Sequence, residues 1–152
     1  MEINLSKNFT LSEFVDSPTA KKNRIDNTPT SEIISNLNML CTNVLEPLRS
    51  LLKKPINLNS GYRCKALNTA LGGSKNSQHM EGKAADFHVA GFSTQELFEF
   101  IISKDLRFDQ CIMEFPKSGA GWVHISWNGV KNRGEKLRAD KFDGKTVYTK
   151  VV

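Results

Sequence analysis

Long hydrophobic runs are absent from this sequence. None of its 152 residues belongs to an apolar stretch of about 18 residues, the length that can span a membrane, so we expect no membrane insertion. The first residues, MEINLSKNFTLSEF, also lack a basic start followed by an apolar segment, which predicts that the chain carries no secretory signal. We therefore expect a protein that is made in the cytosol.

Cysteine is scarce, and its spacing excludes two common uses. Cys41, Cys64 and Cys111 are the three cysteines, and they lie far apart along the chain. An odd count without short paired spacings fits neither a disulfide framework nor a cysteine-rich zinc site. We expect reduced and mostly buried thiols, because free cysteine behaves as a small apolar residue.

The charge balance is basic but diffuse. The chain has 21 lysines and arginines against 16 acidic residues, a net charge of +5, which favours anionic partners. The basic residues are scattered, although they are denser after Asn128, and no basic run is interleaved with aromatic residues. Net charge is the only observation that favours nucleic-acid binding. We therefore expect a solvated basic surface and no nucleic-acid partner.

Several patterns predict helices in the first two thirds of the chain. Residues 10–13 and 93–96 are capping boxes, which begin helices. A longer helix is predicted from Thr28, followed by a proline in its first turn, and Pro47 should kink it near Val44. The polar segment 16–27 is predicted to be a loop.

Strands are predicted mainly in the second half. Residues 56–60 alternate in polarity, 84–89 form an apolar run, and 111–115 and 122–127 are predicted to form a hairpin, with a late strand at 146–152. Helices followed by clustered strands indicate an α+β fold with an antiparallel sheet. The length suits one domain over residues 1–152, with an N-terminal arm (1–8) and a C-terminal extension (128–152).

Two of the three histidines stand in a pattern that suits zinc. A catalytic zinc site uses three protein ligands, often imidazole nitrogens with a carboxylate oxygen, and leaves a fourth position open. His79 lies in a predicted loop, Asp86 in the strand after it, and His124 in a predicted neighbouring strand. In isolation such residues are more often ordinary core or surface groups, so the prediction of one bound Zn2+ depends on the wider pattern around them.

A wider pattern contains these residues. It consists of Ser60-Gly61-Tyr62-Arg63, Asn68, Ser77-x-His79-x-x-Gly82-x-Ala84-x-Asp86 and Trp122-x-His124. Over roughly residues 9–127 the chain resembles the zinc D-Ala-D-Ala carboxypeptidases, the family that also contains phage L-alanyl-D-glutamate endolysins. Similar metal-site architecture occurs in the amino-terminal signalling domain of hedgehog proteins. The resemblance implies a hedgehog/DD-peptidase-like fold, in which N-terminal helices pack on a small antiparallel sheet that carries the zinc site.

The resemblance also assigns the metal ligands and an arginine. It implies that His79, Asp86 and His124 hold the metal, and that Arg63 holds the scissile carbonyl or a substrate carboxylate. A fixed guanidinium can stabilise negative charge that develops on a carbonyl oxygen, and it can bind a carboxylate through two hydrogen bonds. The alternative for Arg63 is a surface salt bridge.

The general base is where the sequence departs from its relatives. Many of them carry an acidic residue three positions before the third ligand, and here that position is Gly121. We predict Glu114 instead, because a hairpin turn centred near Gly119 would set it roughly opposite His124 on the same face. A carboxylate there could pass a proton to the leaving amine. Asp109 is the second candidate, in a predicted loop.

Three further residues are candidates for the site. Ser77 and Trp122 are predicted to bind substrate, although Ser77 could equally cap a turn and Trp122 could equally belong to the core. His88 lies two residues after Asp86, so both side chains would share one face of a regular strand. We expect His88 to be a partner near the metal site or an ordinary core or surface residue.

The resemblance implies a zinc metallopeptidase, of D,D-carboxypeptidase or L,D-endopeptidase type, that hydrolyses stem peptides of bacterial peptidoglycan. A small monomeric chain without a signal suits a phage or prophage lytic enzyme that acts on the cell wall after release, or a virion-associated hydrolase. The glycine at position 121 leaves a second hypothesis open, a non-catalytic zinc-stabilised structural or binding module of a virion. The sequence does not specify the bond that is cleaved.

Overall fold

Helices predominate in the first half of the chain and strands in the second. The structure, a computed structural model, describes residues 1–151. The helices are α1 (Leu11–Val15), α2 (Pro18–Lys22), α3 (Ser31–Leu40), α4 (Glu46–Leu52), α5 (Lys65–Ala70) and α6 (Thr94–Ile102). The strands are β1 (Asn4–Ser6), β2 (Phe9–Thr10), β3 (Asn57–Ser60), β4 (Ala84–His88), β5 (Gln110–Glu114), β6 (Trp122–Ser126), β7 (Glu135–Phe142) and β8 (Lys145–Lys150). Among these residues, no helix is long and apolar enough to cross a membrane.

The N-terminal segment packs against the rest of the domain. β1 and β2 pair as a small antiparallel sheet, and Leu5 and Phe9 are buried in the main core. The capping box predicted at the start of α1 is confirmed, with Thr10 and Glu13 bonded reciprocally.

The loop predicted over residues 16–27 is wrong in part, because it contains α2. The Ser17 hydroxyl caps this helix by accepting the Ala20 N–H at 3.2 Å, and Pro18 occupies the first turn. A helix of five residues is too short for apolar periodicity to reveal, so only its cap and proline could have indicated it.

The predicted long helix is present as α3 and α4, joined by a π turn at Cys41–Leu45. It begins after Thr30, two residues later than predicted. The predicted interruption is confirmed. Pro47 cannot donate a backbone hydrogen bond, and just before it the Glu46 N–H bonds to the Cys41 carbonyl, five residues back.

The main sheet contains six strands in the order β3-β4-β6-β5-β7-β8. The predicted hairpin of β5 and β6 is confirmed, and four of the neighbouring pairs are antiparallel. β5 and β7, however, are parallel, so the expectation of an antiparallel sheet is wrong at this one pair. β7 still runs antiparallel to β6, but it lies on the far side of β5, which has the same direction as β7, so this pair is parallel.

Strand alternation gives the central strands two different faces. One face packs on the helices and carries the buried residues Ala85, Phe87, Cys111, Met113, Val123 and Ile125. The other face carries polar residues together with a small apolar cluster of Ile112, Leu137 and Ala139, against which Phe115 packs. The second face is therefore the one on which a functional site can form.

The C-terminal extension adds β7 and β8 to the main sheet. The predicted late strand is confirmed as β8 up to Lys150, and residue 152 lies outside the described residues. The prediction lacks β7, because its buried residues, Leu137 and Ala139, are interleaved with charged ones in the sequence EKLRADKF. Such a strand carries little apolar signal in the sequence.

Candidate metal centre

Two predicted ligands face each other across neighbouring strands. Asp86 on β4 pairs directly with His124 on β6, and the Asp86 Oδ1 atom lies 2.9 Å from His124 Nδ1. His79 comes from a short 3-10 helix, Gln78–Glu81, and its Nε2 atom lies 3.2 Å from the same carboxylate oxygen. All three residues are buried.

The positions of the donor atoms fit a metal ion. His79, Asp86 and His124 each offer one ligand atom, and these atoms all lie within 4.8 Å of one another. In a tetrahedral zinc site with bonds of about 2.0 Å, ligand atoms are about 3.3 Å apart. Two imidazoles and one carboxylate also form a common three-ligand set of catalytic zinc sites.

A hydrogen bond on the side of the His79 ring away from the other ligands fixes its orientation. Its Nδ1 atom donates to the Gly61 carbonyl at 2.6 Å, which directs Nε2 towards the other ligands. Gly61 reaches this position because it lies against the backbone of Phe14, and an added Cβ would be 2.7 Å from the Phe14 carbonyl oxygen. The Ser77 hydroxyl accepts the His79 N–H at 3.2 Å and caps the short helix.

Arg63 holds the other oxygen of Asp86. Its Nη2 atom donates to Asp86 Oδ2 at 3.2 Å, and its Nε atom donates to the Ser60 hydroxyl at 3.0 Å. The buried Asn68 accepts from Arg63 Nη1 at 3.4 Å and donates to the Ser74 carbonyl. Oδ1 of Asp86 is therefore left to face the two histidines.

Electrostatics favour an ionised Asp86. Burial opposes ionisation, but the nearby His79 and His124 rings outweigh it and hold the pKa of Asp86 below its usual value. A metal cation in the same place would also favour the anionic carboxylate, with both imidazoles neutral.

Glu114 is next to this cluster, although two residues away from its predicted register. It pairs with Trp122, whereas Ile112 is opposite His124. Glu114 nevertheless shares a face with His124, and its Oε1 atom lies 3.8 Å from His124 Nδ1. Burial, followed by the charge of Asp86, raises the pKa of Glu114 to about 7, against smaller opposing effects of neighbouring groups.

A cleft of about 990 Å3 opens over these residues. Its walls include the three candidate ligands together with Arg63, Glu114 and Trp122. A cleft of this size, with a few convergent polar groups, is typical of a site for a small molecule or a peptide segment.

Comparison with known protein families agrees with this geometry. The family model described as Peptidase M15 matches residues 7–126, which is most of the chain and includes every residue of the cluster. The chain belongs to the peptidase M15 family. A search of curated proteins found no match.

The glycine at position 121 of this M15 chain has a local steric reason. An added Cβ would lie 2.6 Å from the Phe115 carbonyl oxygen, closer than real Cβ atoms come, so an acidic side chain cannot be placed there without a shift of the backbone. The acidic group beside His124 is supplied instead by Glu114 on β5.

Of the three remaining predicted site residues of this M15 chain, two line the cleft and one does not. Ser77 and Trp122 both line the cleft, and the Trp122 ring packs edge-on against Phe115, with 5.5 Å between ring centroids. His88 is exposed, bonds through Nδ1 to Asn59 Oδ1 at 2.9 Å, and is not among the residues that line the cleft. The structure therefore does not bring His88 into the cluster.

Asp109, the second candidate for a base, is already engaged. It is fully buried, and its carboxylate accepts hydrogen bonds from the guanidinium and backbone N–H of Arg133 and from Gln78 Nε2. The Arg133 hydrogen bonds, acting against burial, lower the pKa of Asp109 to about 2. Because Gln78 directly precedes His79, Asp109 links the C-terminal segment to the metal loop.

The prediction also missed a support of the Arg63 loop. The buried Asn27 donates to the carbonyls of Val15 and Tyr62, both at 3.0 Å, and accepts the Cys64 N–H at 2.8 Å. These bonds fix the residues on both sides of Arg63. An isolated asparagine in a polar segment carries no sequence signal that distinguishes it from a loop residue.

Proposed function

We propose that this M15 peptidase is zinc-dependent and hydrolyses a peptide bond in the stem peptides of bacterial peptidoglycan. The observation that carries the proposal is the convergence of His79, Asp86 and His124 in a cleft that also contains Glu114. His79 Nε2, Asp86 Oδ1 and His124 Nδ1 would hold the ion. When bound, zinc supplies Lewis-acid activation of the attacking water and of the scissile carbonyl.

Glu114 would act as the proton carrier. Its carboxylate lies beside His124 and faces the cleft, where it can take a proton from the attacking water and deliver it to the leaving amine. Burial among other charged groups is the environment in which catalytic carboxylates are found. This role is supported by position, because among the described residues that line the cleft only Asp86, a proposed ligand, has a carboxylate closer to His124.

Arg63 would have two roles. It orients Asp86 through Oδ2, and it lines the cleft with further N–H donors that can bind the developing oxyanion or a substrate carboxylate. The proposed assignment of peptidoglycan as substrate is supported by the family and by the resemblance to wall-cleaving enzymes. That resemblance alone supports the further proposal of a phage or prophage lytic role, exerted on the wall after release or from a virion.

The experiment is a digestion of purified peptidoglycan. We expect the protein to release new amino and carboxyl ends, to lose this activity when a chelator removes the metal, and to recover it when Zn2+ is restored. Mass spectrometry of the released fragments identifies the bond. The matched variants are Glu114→Gln, which should be inactive, and His88→Ala, which should cleave normally because His88 lies outside the cleft.

If the wild-type protein binds Zn2+ and is stabilised by it, but releases no new ends from any wall preparation, the peptidase proposal is wrong. The non-catalytic zinc-stabilised module of a virion would then be the better description.

A further inference from the structure

The C-terminal hairpin of β7 and β8 continues the cleft face beyond the metal centre. Glu114 pairs with Ala139, and Ala139 pairs with Tyr148, so these residues form a row across three strands. Two residues further along β7, Lys141 pairs with Thr146. Alternate residues of a strand share a face, and Lys141, Thr146 and Tyr148 all line the cleft. They lie outside residues 7–126, which match the family model.

Contacts hold the Lys141 ammonium at the rim of the cleft. Its Nζ atom donates to the Thr146 hydroxyl at 3.0 Å and lies 5.5 Å from the centroid of the Phe115 ring. Phe115 in turn packs against Trp122, which is the cross-strand partner of Glu114. The ammonium is therefore joined through two aromatic rings to the strand pair that carries the proposed proton carrier.

The charge of Lys141 is not matched by an acidic side chain. None of the ion pairs among residues 1–151 includes Lys141. Tyr148, next to it on the same face, has a pKa raised by burial and by the charges of Glu114 and Asp86, so its phenol stays neutral and keeps its O–H donor. An ammonium bonded to one hydroxyl group, with a phenol on the same face of the hairpin, is a donor set suited to a carboxylate.

The spacing indicates where that carboxylate would lie on a peptide. Two residues along a strand cover about 7 Å, and neighbouring strands are about 4.8 Å apart, so the backbones of Lys141 and Glu114 are roughly 8 Å apart. An extended peptide covers about 3.5 Å per residue. The distance corresponds to about two residues of a bound peptide.

We propose that Lys141, Thr146 and Tyr148 form a subsite that binds a free carboxylate of the peptide substrate, about two residues from the cleaved bond. The inference rests on the proposed peptidase function. It assigns to the C-terminal hairpin the recognition of an anionic peptide, and it predicts that amidation of that carboxylate weakens binding.

The test uses the peptide L-alanyl-γ-D-glutamyl-L-lysyl-D-alanyl-D-alanine and versions in which the glutamyl or the terminal carboxylate is amidated. For the peptide with free carboxylates, Lys141→Met should raise KM about fivefold, with a smaller effect on kcat. For one of the two amidated peptides, the wild type and the Lys141→Met variant should have the same KM. Lys141→Arg should restore most of the affinity.

The matched control is Lys145→Met, which removes the same charge from the opposite face of the same hairpin. It should leave KM for the free-carboxylate peptide unchanged. The subsite proposal is wrong if the two lysine substitutions change KM equally. It is also wrong if the Lys141→Met protein still discriminates free from amidated peptides as the wild type does. Calorimetric binding of the same peptides to the zinc-free proteins separates the two proposals, because it reports on the subsite even if no peptide is cleaved.

Discussion

Arg133→Ala tests how much stability the protein gains because Arg133 neutralises the buried carboxylate of Asp109. Asp109 has no exposed surface, and its carboxylate accepts from Arg133 Nε at 2.9 Å and from Arg133 Nη2 at 2.8 Å. The substitution removes both guanidinium donors and leaves the backbone N–H of residue 133 and Gln78 Nε2 as partners. The carboxylate would then be buried without a cation.

The magnitude follows from the pKa of Asp109. Hydrogen bonds from Arg133 are the largest cause that lowers this pKa from 3.8 to about 2. A lowering of that size corresponds to roughly 2 kcal/mol of stability at neutral pH. Because an unpaired buried charge costs more than the lost attraction, we expect a loss of about 3 kcal/mol. The melting temperature should fall by roughly 6–12 °C.

Urea unfolding at pH 7, followed by tryptophan fluorescence, measures the loss. The matched control is Arg138→Ala, because Arg138 pairs with Asp140 and both side chains are partly exposed, so its cost should stay below about 1 kcal/mol. The folded-state pKa of Asp109 is lowered, so its contribution is present above pH 3.8 and is lost as the pH falls towards 2. The difference in the free energy of unfolding between the wild type and Arg133→Ala should become smaller over that pH range.

In an Asp109→Asn background, removal of Arg133 should cost little, since no buried charge remains to be paired. The reasoning is refuted if Arg133→Ala costs no more than Arg138→Ala, or if its cost is the same with asparagine at position 109.

Three further predictions concern Glu114 and two residues outside the cleft lining, Gly121 and Asn27. Glu114→Gln should keep metal binding but lower kcat by about 10²- to 10⁴-fold in the peptidoglycan assay, and near-normal turnover would remove Glu114 as proton carrier. Gly121→Ala should cost about 1–3 kcal/mol in urea unfolding, because the new Cβ meets the Phe115 carbonyl, and a neutral result would contradict the steric account. Asn27→Ala should lower stability by about 2 kcal/mol and kcat/KM more than metal affinity, because its bonds fix the loop that carries Arg63; unchanged stability would contradict this.

The candidate ligands were predicted from the resemblance to a known family, and the faces on which Asp86 and His124 lie follow from local patterns. Asp86 and His124 lie on short strands whose period-two pattern fixes the face of each side chain. The hairpin that carries Glu114 and His124 was predicted from two apolar runs and a turn rich in glycine. The register was two residues off, because the connection contains a 3-10 turn at Pro116–Ser118 that shifts the pairing.

The parts that could not be predicted depend on contacts between distant segments. Nothing near Asp109 in the sequence indicates that Arg133 will neutralise it, and nothing near β5 indicates a parallel partner in β7. The sequence around each carboxylate therefore does not reveal that Asp109 is neutralised and Glu114 is not. The short helix α2 was missed for a different reason, because five residues carry too little periodicity.

Calorimetric titration of the metal-free protein with Zn2+ is the most direct test of the proposed metal centre. The wild-type protein and the His88→Ala variant should each bind one ion per chain with the same affinity, because His88 bonds to Asn59 outside the cluster. His79→Ala and Asp86→Asn should lose that site while remaining folded by circular dichroism. A stoichiometric site of unchanged affinity in either of these two variants would contradict the proposed ligand set.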